Sequence, residues 1–157
     1  LATWVGETPG TCTFAQTCGG NSVIEHNGDL YPCDHFVYKD YLLGNITEKP
    51  IAEMMRSDKQ TAFGIDKRNK LPTKCLRCEW LFACNGECPK HRFNTYESHQ
   101  SGRGGVRIET GLNALCAGYK MFFSHVAPYM DYMKDLLSRK MSPAYVIPWA
   151  RSRANQQ

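Results

Sequence analysis

The chain has 157 residues, 42% of them apolar and 22% charged, and its net charge of +4 is dispersed among acidic side chains. Such a chain builds one domain, or one domain with a tail, around a moderate core. It lacks the concentrated basic stripe of a nucleic-acid binder and any run near the ~18 apolar residues that cross a bilayer, so neither nucleic acid nor a membrane is expected as a partner.

Leu1-Ala2-Thr3-Trp4-Val5-Gly6 has neither the basic nor the apolar region of a signal peptide. A cytoplasmic setting is therefore expected. The first residue is not Met, so the chain reads as a piece of something longer or a processed form. Residues 1–21 form a polar, Gly- and Thr-rich entry segment with Cys12 and Cys18. Two β-prone runs, Ser22-Val23-Ile24-Glu25 and Leu30-Tyr31-Pro32-Cys33, flank His26-Asn27-Gly28-Asp29, which predicts a hairpin with a tight primed turn. Asp34 to Leu43, with Phe36, Val37, Tyr38 and Tyr41, suits a further strand or an extended connection. Asn45-Ile46-Thr47 matches a glycosylation acceptor, but without an export signal it carries no weight.

Pro50 opens a short helix through Met55, and a second helix is expected from about Lys59 to Asn69, closed off by Pro72. Cys75 to Cys88 is too dense in cysteine for a regular element and reads as loops wrapped on a metal site. Ser98 to Gly105 is a polar, Gly-rich loop. From about Leu112 a long helix is expected, with Leu115, Tyr119, Phe122, Phe123, Val126, Tyr129, Met130, Met133 and Leu137 as its core-facing stripe and Pro128 as a kink point. The tail from Ser142, with Arg151 and Arg153, reads as a loosely held terminus.

Cysteine is where the composition departs from the ordinary. The eight positions are Cys12, Cys18, Cys33, Cys75, Cys78, Cys84, Cys88 and Cys116. In a reducing compartment a disulfide framework loses its support. Thiolates select zinc, copper(I) or iron–sulfur clusters, and C-x2-C pairs such as Cys75-x2-Cys78 serve both zinc and clusters. Eight ligands complete two four-thiolate sites. The Cys78-x5-Cys84-x3-Cys88 continuation does not form a second zinc knuckle. Cys12, Cys18 and Cys33 supply three ligands and need a distant fourth. Both details favour clusters over zinc.

Cys18-x9-Gly28-x4-Cys33, then Cys75-x2-Cys78-x5-Cys84-x3-Cys88, then Cys116, resembles the seven-cysteine signature of SPASM domains, C-terminal extensions of radical SAM enzymes that modify peptides and proteins. The additional Cys12, the runs Cys33-Asp34-His35-Phe36-Val37-Tyr38 and Gly86-Glu87-Cys88-Pro89-Lys90, and Leu115-Cys116-Ala117-Gly118-Tyr119-Lys120 resemble anaerobic sulfatase-maturating enzymes. Those enzymes oxidise a Cys or Ser of a sulfatase to Cα-formylglycine. The resemblance implies an α+β fold: a β-hairpin, cysteine-rich loops around two [4Fe–4S] clusters, and a long C-terminal helix. It places the auxiliary cluster domain at 1–120 and the helix and tail at 121–157. It also implies that Cys12, Cys18, Cys33 and Cys88 hold the cluster nearer the substrate, and that Cys75, Cys78, Cys84 and Cys116 hold the outer one.

One departure bears on activity. A radical SAM core needs C-x3-C-x2-C, and after Cys84-x3-Cys88 position 91 is His91. A (β/α) barrel does not fit in the residues present. The S-adenosylmethionine site and a third [4Fe–4S] cluster are thus expected outside this chain, which by itself is expected to be inactive.

In the family scheme a radical takes hydrogen from the substrate Cβ, a base takes the side-chain proton, and an electron leaves through a nearby cluster. Asp34 is the implied base. A cluster saturated by four thiolates leaves no iron for substrate, which suits electron relay. Arg77, Lys90 and Arg92 are candidates for compensating cluster charge, Trp80, Phe82 and Phe93 for shielding the clusters, and His35 and His91 for supporting roles beside the ligands. The implied partners are an unfolded sulfatase segment and an electron carrier such as ferredoxin or flavodoxin. Two alternatives stand beside this: a SPASM domain of another peptide-modifying enzyme, and a non-catalytic zinc-binding interaction module.

Overall fold

The computed structural model describes residues 1–99 and 106–155. The chain divides into two units, Thr11–Ala114 and a second made of Leu1–Gly10 with Leu115–Gln157. In the larger unit, strands β1 (Val23–Ile24) and β2 (Asp29–Tyr31) pair antiparallel with Ile24 opposite Leu30. The hairpin is the expected one, but its turn is not. Gly28 N donates to Glu25 O and Glu25 N to Asp29 O, and within the loop only Gly28 takes a positive φ, +89°. This is a three-residue loop closed by a left-handed glycine. Asn27 stays out of the left-handed region, with its side chain bonded to the Asp29 amide and carboxylate.

Strand β3 (Gly44–Asn45) adds to β2. The Asn45 amide donates to Asn27 O and Asp29 Oδ1, so the acceptor asparagine of Asn45-Ile46-Thr47 is part of the sheet's own bonding. Between β2 and β3 the expected strand is absent. Asp34–Phe36 and Lys39–Tyr41 are 3-10 turns. Coiling brings Phe36 and Tyr41 edge-on to each other and to Phe63, with ring centroids 4.9, 5.1 and 5.7 Å apart.

Helices α1 (Ile51–Met55) and α2 (Asp58–Asn69) occur where they are expected, α2 one residue earlier because Ser57 Oγ accepts from Gln60 N at its N-terminus. The Cys75–Cys88 stretch is more regular than expected, because α3 (Thr73–Leu76) and α4 (Leu81–Cys84) are single helical turns. Asn85, Gly86 and Glu87 then take φ of 48°, 71° and 56° in succession, which ends α4 and reverses the chain before Cys88.

Strands β4 (Asn94–His99) and β5 (Val106–Leu112) form a hairpin with Tyr96 opposite Glu109. Sequence patterning did not indicate it, since Ile108 is 62% exposed and the strands bury little apolar surface. Of the loop expected over Ser98–Gly105, Ser98 and His99 belong to β4, and the rest lies outside the described residues.

In the smaller unit α5 spans Cys116–Ser138. It starts later than expected because Leu112 ends β5 instead. Phe123 and Leu136 are buried, whereas Leu115 and Phe122, expected on the core stripe, are each 54% exposed. In the entry segment Trp4 packs on Phe123 at 6.1 Å and donates from Nε1 to Asp131. The tail, expected to be loosely held, is instead helix α6 (Val146–Ala154), where Trp149 stacks on Tyr132 at 4.4 Å and meets Tyr129 edge-on. Among the described residues no helix is long and apolar enough to cross a membrane.

Candidate metal centre

Helix α2 is the template for the first cysteine loop, and it works through a buried polar face rather than an apolar one. Gln60, Gly64 and Lys67 are its buried positions. Gln60 donates to Gly19 O, Gly64 O accepts from Cys18 N, and Lys67 Nζ donates to Cys12 O and Thr13 O. Asn85, just after α4, donates to Phe14 O. Four carbonyls of the Cys12–Gly19 loop are thereby satisfied by buried side chains. The loop is held by hydrogen bonds in place of hydrophobic contact.

None of the eight cysteines is in a disulfide. Cys33 follows β2, and its Sγ donates to Asp34 Oδ1 at 3.3 Å. Cys88 Sγ lies 3.6 Å from His35 Nδ1. Cys33, Asp34 and His35 keep one donor atom each within 4.8 Å of one another.

Burial raises the Cys18 thiol; Lys67 opposes this, and Cys88 and Cys12 add to it. Burial likewise pushes Cys33 up to about 11, opposed by the His35 amide and reinforced by Asp34 and Cys88. Cys88 is raised by burial, with Glu87 and Cys12 contributing. Cys12, Cys18, Cys33 and Cys88 are thus electrostatic neighbours. Cys75 and Cys84 both act on Arg92. Cys116 lies in the other unit, at the first residue of α5.

The second cysteine segment is held from the β4–β5 hairpin. Glu109 Oε2 accepts from Thr73 N and from the Tyr96 hydroxyl, and that hydroxyl accepts from Lys74 N. Both partners seat the first turn of α3, which carries Cys75. His91 is engaged by the buried Glu87 carboxylate at 2.8 Å, which Asn113 also bonds.

The expected charge compensators behave differently from one another. Arg77 is exposed, and Lys90 lies over the Tyr38 and Phe36 rings. Arg92 is the one facing cysteines on both sides. Lys67, not anticipated from sequence, is 1% exposed and surrounded by Cys18, Cys12 and Cys88. No local pattern marks it among Asp66, Arg68 and Lys70. Phe93 and Phe82, expected to shield the clusters, are 71% and 46% exposed. A buried Lys67 and a half-buried Arg92 beside cysteines, with no carboxylate partner among the described residues, fit a site whose thiols are ionised by metal.

Residues 12–79 match the family model described as an iron–sulfur cluster-binding domain, SPASM. Over those residues the chain is similar to this family of iron–sulfur domains. Over 94% of its length it is 51% identical to a serine-type anaerobic sulfatase-maturating enzyme of Bacteroides thetaiotaomicron, and over 75% it is 30% identical to a cysteine-type enzyme of Clostridium perfringens. It aligns with the solved structure of native anSMEcpe with bound AdoMet and Cp18Cys peptide at a TM-score of 0.65 and 25% identity, covering 87% of this chain and 36% of that one. The chain spans about a third of the length of the curated relatives it matches.

Proposed function

We propose that this chain is the electron-transfer and substrate-contacting domain of a cytoplasmic enzyme that oxidises a Cys or Ser of an unfolded sulfatase to Cα-formylglycine. The observation that carries this is the exposed Asp34 carboxylate, 3.3 Å from the Cys33 sulfur and next to His35, whose Nδ1 lies 3.6 Å from the Cys88 sulfur. It sets a proton acceptor beside a cluster ligand. Cys12, Cys18, Cys33 and Cys88 would hold one [4Fe–4S] cluster, and Cys75, Cys78, Cys84 and Cys116 a second. Bound there, the clusters supply one-electron acceptors with no vacant iron.

The chain's own residues do the rest. Once Cys33 is a ligand thiolate it has no proton to donate, and the carboxylate is free to accept the proton of a substrate hydroxyl or thiol. α2 and Asn85 hold the Cys12–Gly19 loop rigid, which keeps its thiolates in place. Glu109 and Tyr96 do the same for Cys75.

The test is Asp34→Asn in the full-length enzyme, reconstituted without oxygen and given a sulfatase-motif peptide. Turnover falls at least about 100-fold with iron content unchanged. Undiminished turnover would remove Asp34 from the chemistry. Failure of the unmodified enzyme on that peptide would point to another peptide substrate for the SPASM domain, and zinc without sulfide would point to an interaction module.

A further inference from the structure

Lys67 is 1% exposed, yet its ammonium donates to the main-chain oxygens of Cys12 and Thr13 and meets no carboxylate among the described residues. Arg92 lies nearby and bonds the carbonyls of Gly86, Lys67, Asn85 and Glu87. The two cations repel each other, and the other charged neighbours of Lys67 are Cys18, Cys12 and Cys88. A buried cation without a counter-charge is strongly unfavourable. Neutral thiols supply none, whereas thiolates gathered on a cluster do.

We propose that Lys67 sets the reduction potential of the cluster held by Cys12, Cys18, Cys33 and Cys88. The inference rests on that ligand set and goes beyond it. One-electron reduction of a four-thiolate [4Fe–4S] centre takes its net charge from about −2 to about −3. At the cluster itself no bond would form or break: the electron would come from the substrate radical left by hydrogen abstraction, while the substrate O–H or S–H bond would give its proton to the Asp34 carboxylate. A fixed positive charge beside the ligands favours the more negative state, so Lys67 raises the potential and makes this centre the better acceptor. Arg92, which also faces Cys75 and Cys84, acts on both sites and cannot distinguish them. The cysteines that act on Lys67 are Cys18, Cys12 and Cys88, all of the first set.

The experiment is an EPR-monitored redox titration, with iron and sulfide counts, of the full-length, anaerobically reconstituted protein. Lys67→Gln keeps a donor for the two carbonyls and removes the charge, while Lys67→Arg keeps the charge. In Lys67→Gln one auxiliary signal is expected to shift its reduction equilibrium at least tenfold toward the oxidised form, about 59 mV downward for one electron. Lys67→Arg is expected to titrate like the parent. Iron loss in Lys67→Gln but not in Lys67→Arg again assigns the role to charge. Parent-like potentials in an iron-replete Lys67→Gln protein overturn the proposal, as does iron loss in both variants, which makes Lys67 a packing residue. A parent protein holding zinc, or no sulfide, instead overturns the ligand assignment underneath.

Discussion

Replacing Gly64 with Ala tests whether the approach of α2 to the first cysteine loop is what places Cys18. The added Cβ meets Cys18 O at 2.6 Å, where ordinary contact begins at 3.4 Å. The Cys18 oxygen is main chain, so no rotamer relieves the clash, and helix or loop must retreat by about 0.8 Å. Helix propensity pulls the other way, favouring Ala over Gly by about 1 kcal/mol. Overpacking costs about 1–3 kcal/mol. Retreat also stretches the 3.2 Å bond from Cys18 N to Gly64 O, for about 1 kcal/mol more. The net is a loss of about 1–3 kcal/mol, which at about 2–4 °C per kcal/mol is readable in a melting curve.

Gly118 is the internal control. It also lies in a helix, and an added Cβ there meets nothing within 4 Å. Gly118→Ala should therefore gain up to about 1 kcal/mol. Thermal unfolding and iron content of the oxygen-free protein read both variants. If Gly64→Ala is as stable and as iron-rich as Gly118→Ala, the close approach does not position Cys18, and the reasoning fails.

Glu109→Ala removes the acceptor for Thr73 N and the Tyr96 hydroxyl. It should cost about 1–3 kcal/mol and weaken iron binding at the Cys75 side while sparing the Cys12 side, checked by EPR of each signal. Burial first, with Glu109 adding and Lys74 N opposing, raises the Tyr96 phenol above its usual 10.0. The fold therefore prefers neutral Tyr96: this stabilisation is complete below pH 10.0 and is lost as pH climbs through the raised value. Tyr96→Phe should flatten that alkaline decline in melting temperature. Stripping the metal with a chelator leaves Lys67 and Arg92 without counter-charge and should cost at least about 2 kcal/mol, or about 4–8 °C. An unchanged melting temperature would contradict the electrostatic argument.

Local chemistry made much of this protein legible before any coordinates. Asn27-Gly28 announced the hairpin, because glycine alone takes the φ of +89° that closes it. Pro72 closes off α2 as the proline rule demands, whereas the Ser57 cap that starts it at Asp58 emerged only with the structure. The cysteine spacings led to the SPASM family because ligand geometry limits how a chain can wrap a cluster. Elements whose stabilisation is not apolar periodicity stayed hidden. The β4–β5 hairpin shows little alternation, and α6 is held by a single Trp149 stacked on Tyr132.

The candidate site divides along the same line. Residue type and spacing alone determined that soft ligands gather here and that a carboxylate follows Cys33. Only the tertiary structure decided which cation is enclosed with which thiols. Lys67 is indistinguishable in sequence from Lys70 three residues later, which is exposed and paired to Asp66 at 2.6 Å. The difference arises because α2 turns its Gln60–Gly64–Lys67 face against the Cys12–Gly19 loop, a contact some 50 residues apart in the chain. Burial and electrostatic environment are properties of such long-range contacts, and no local pattern encodes them.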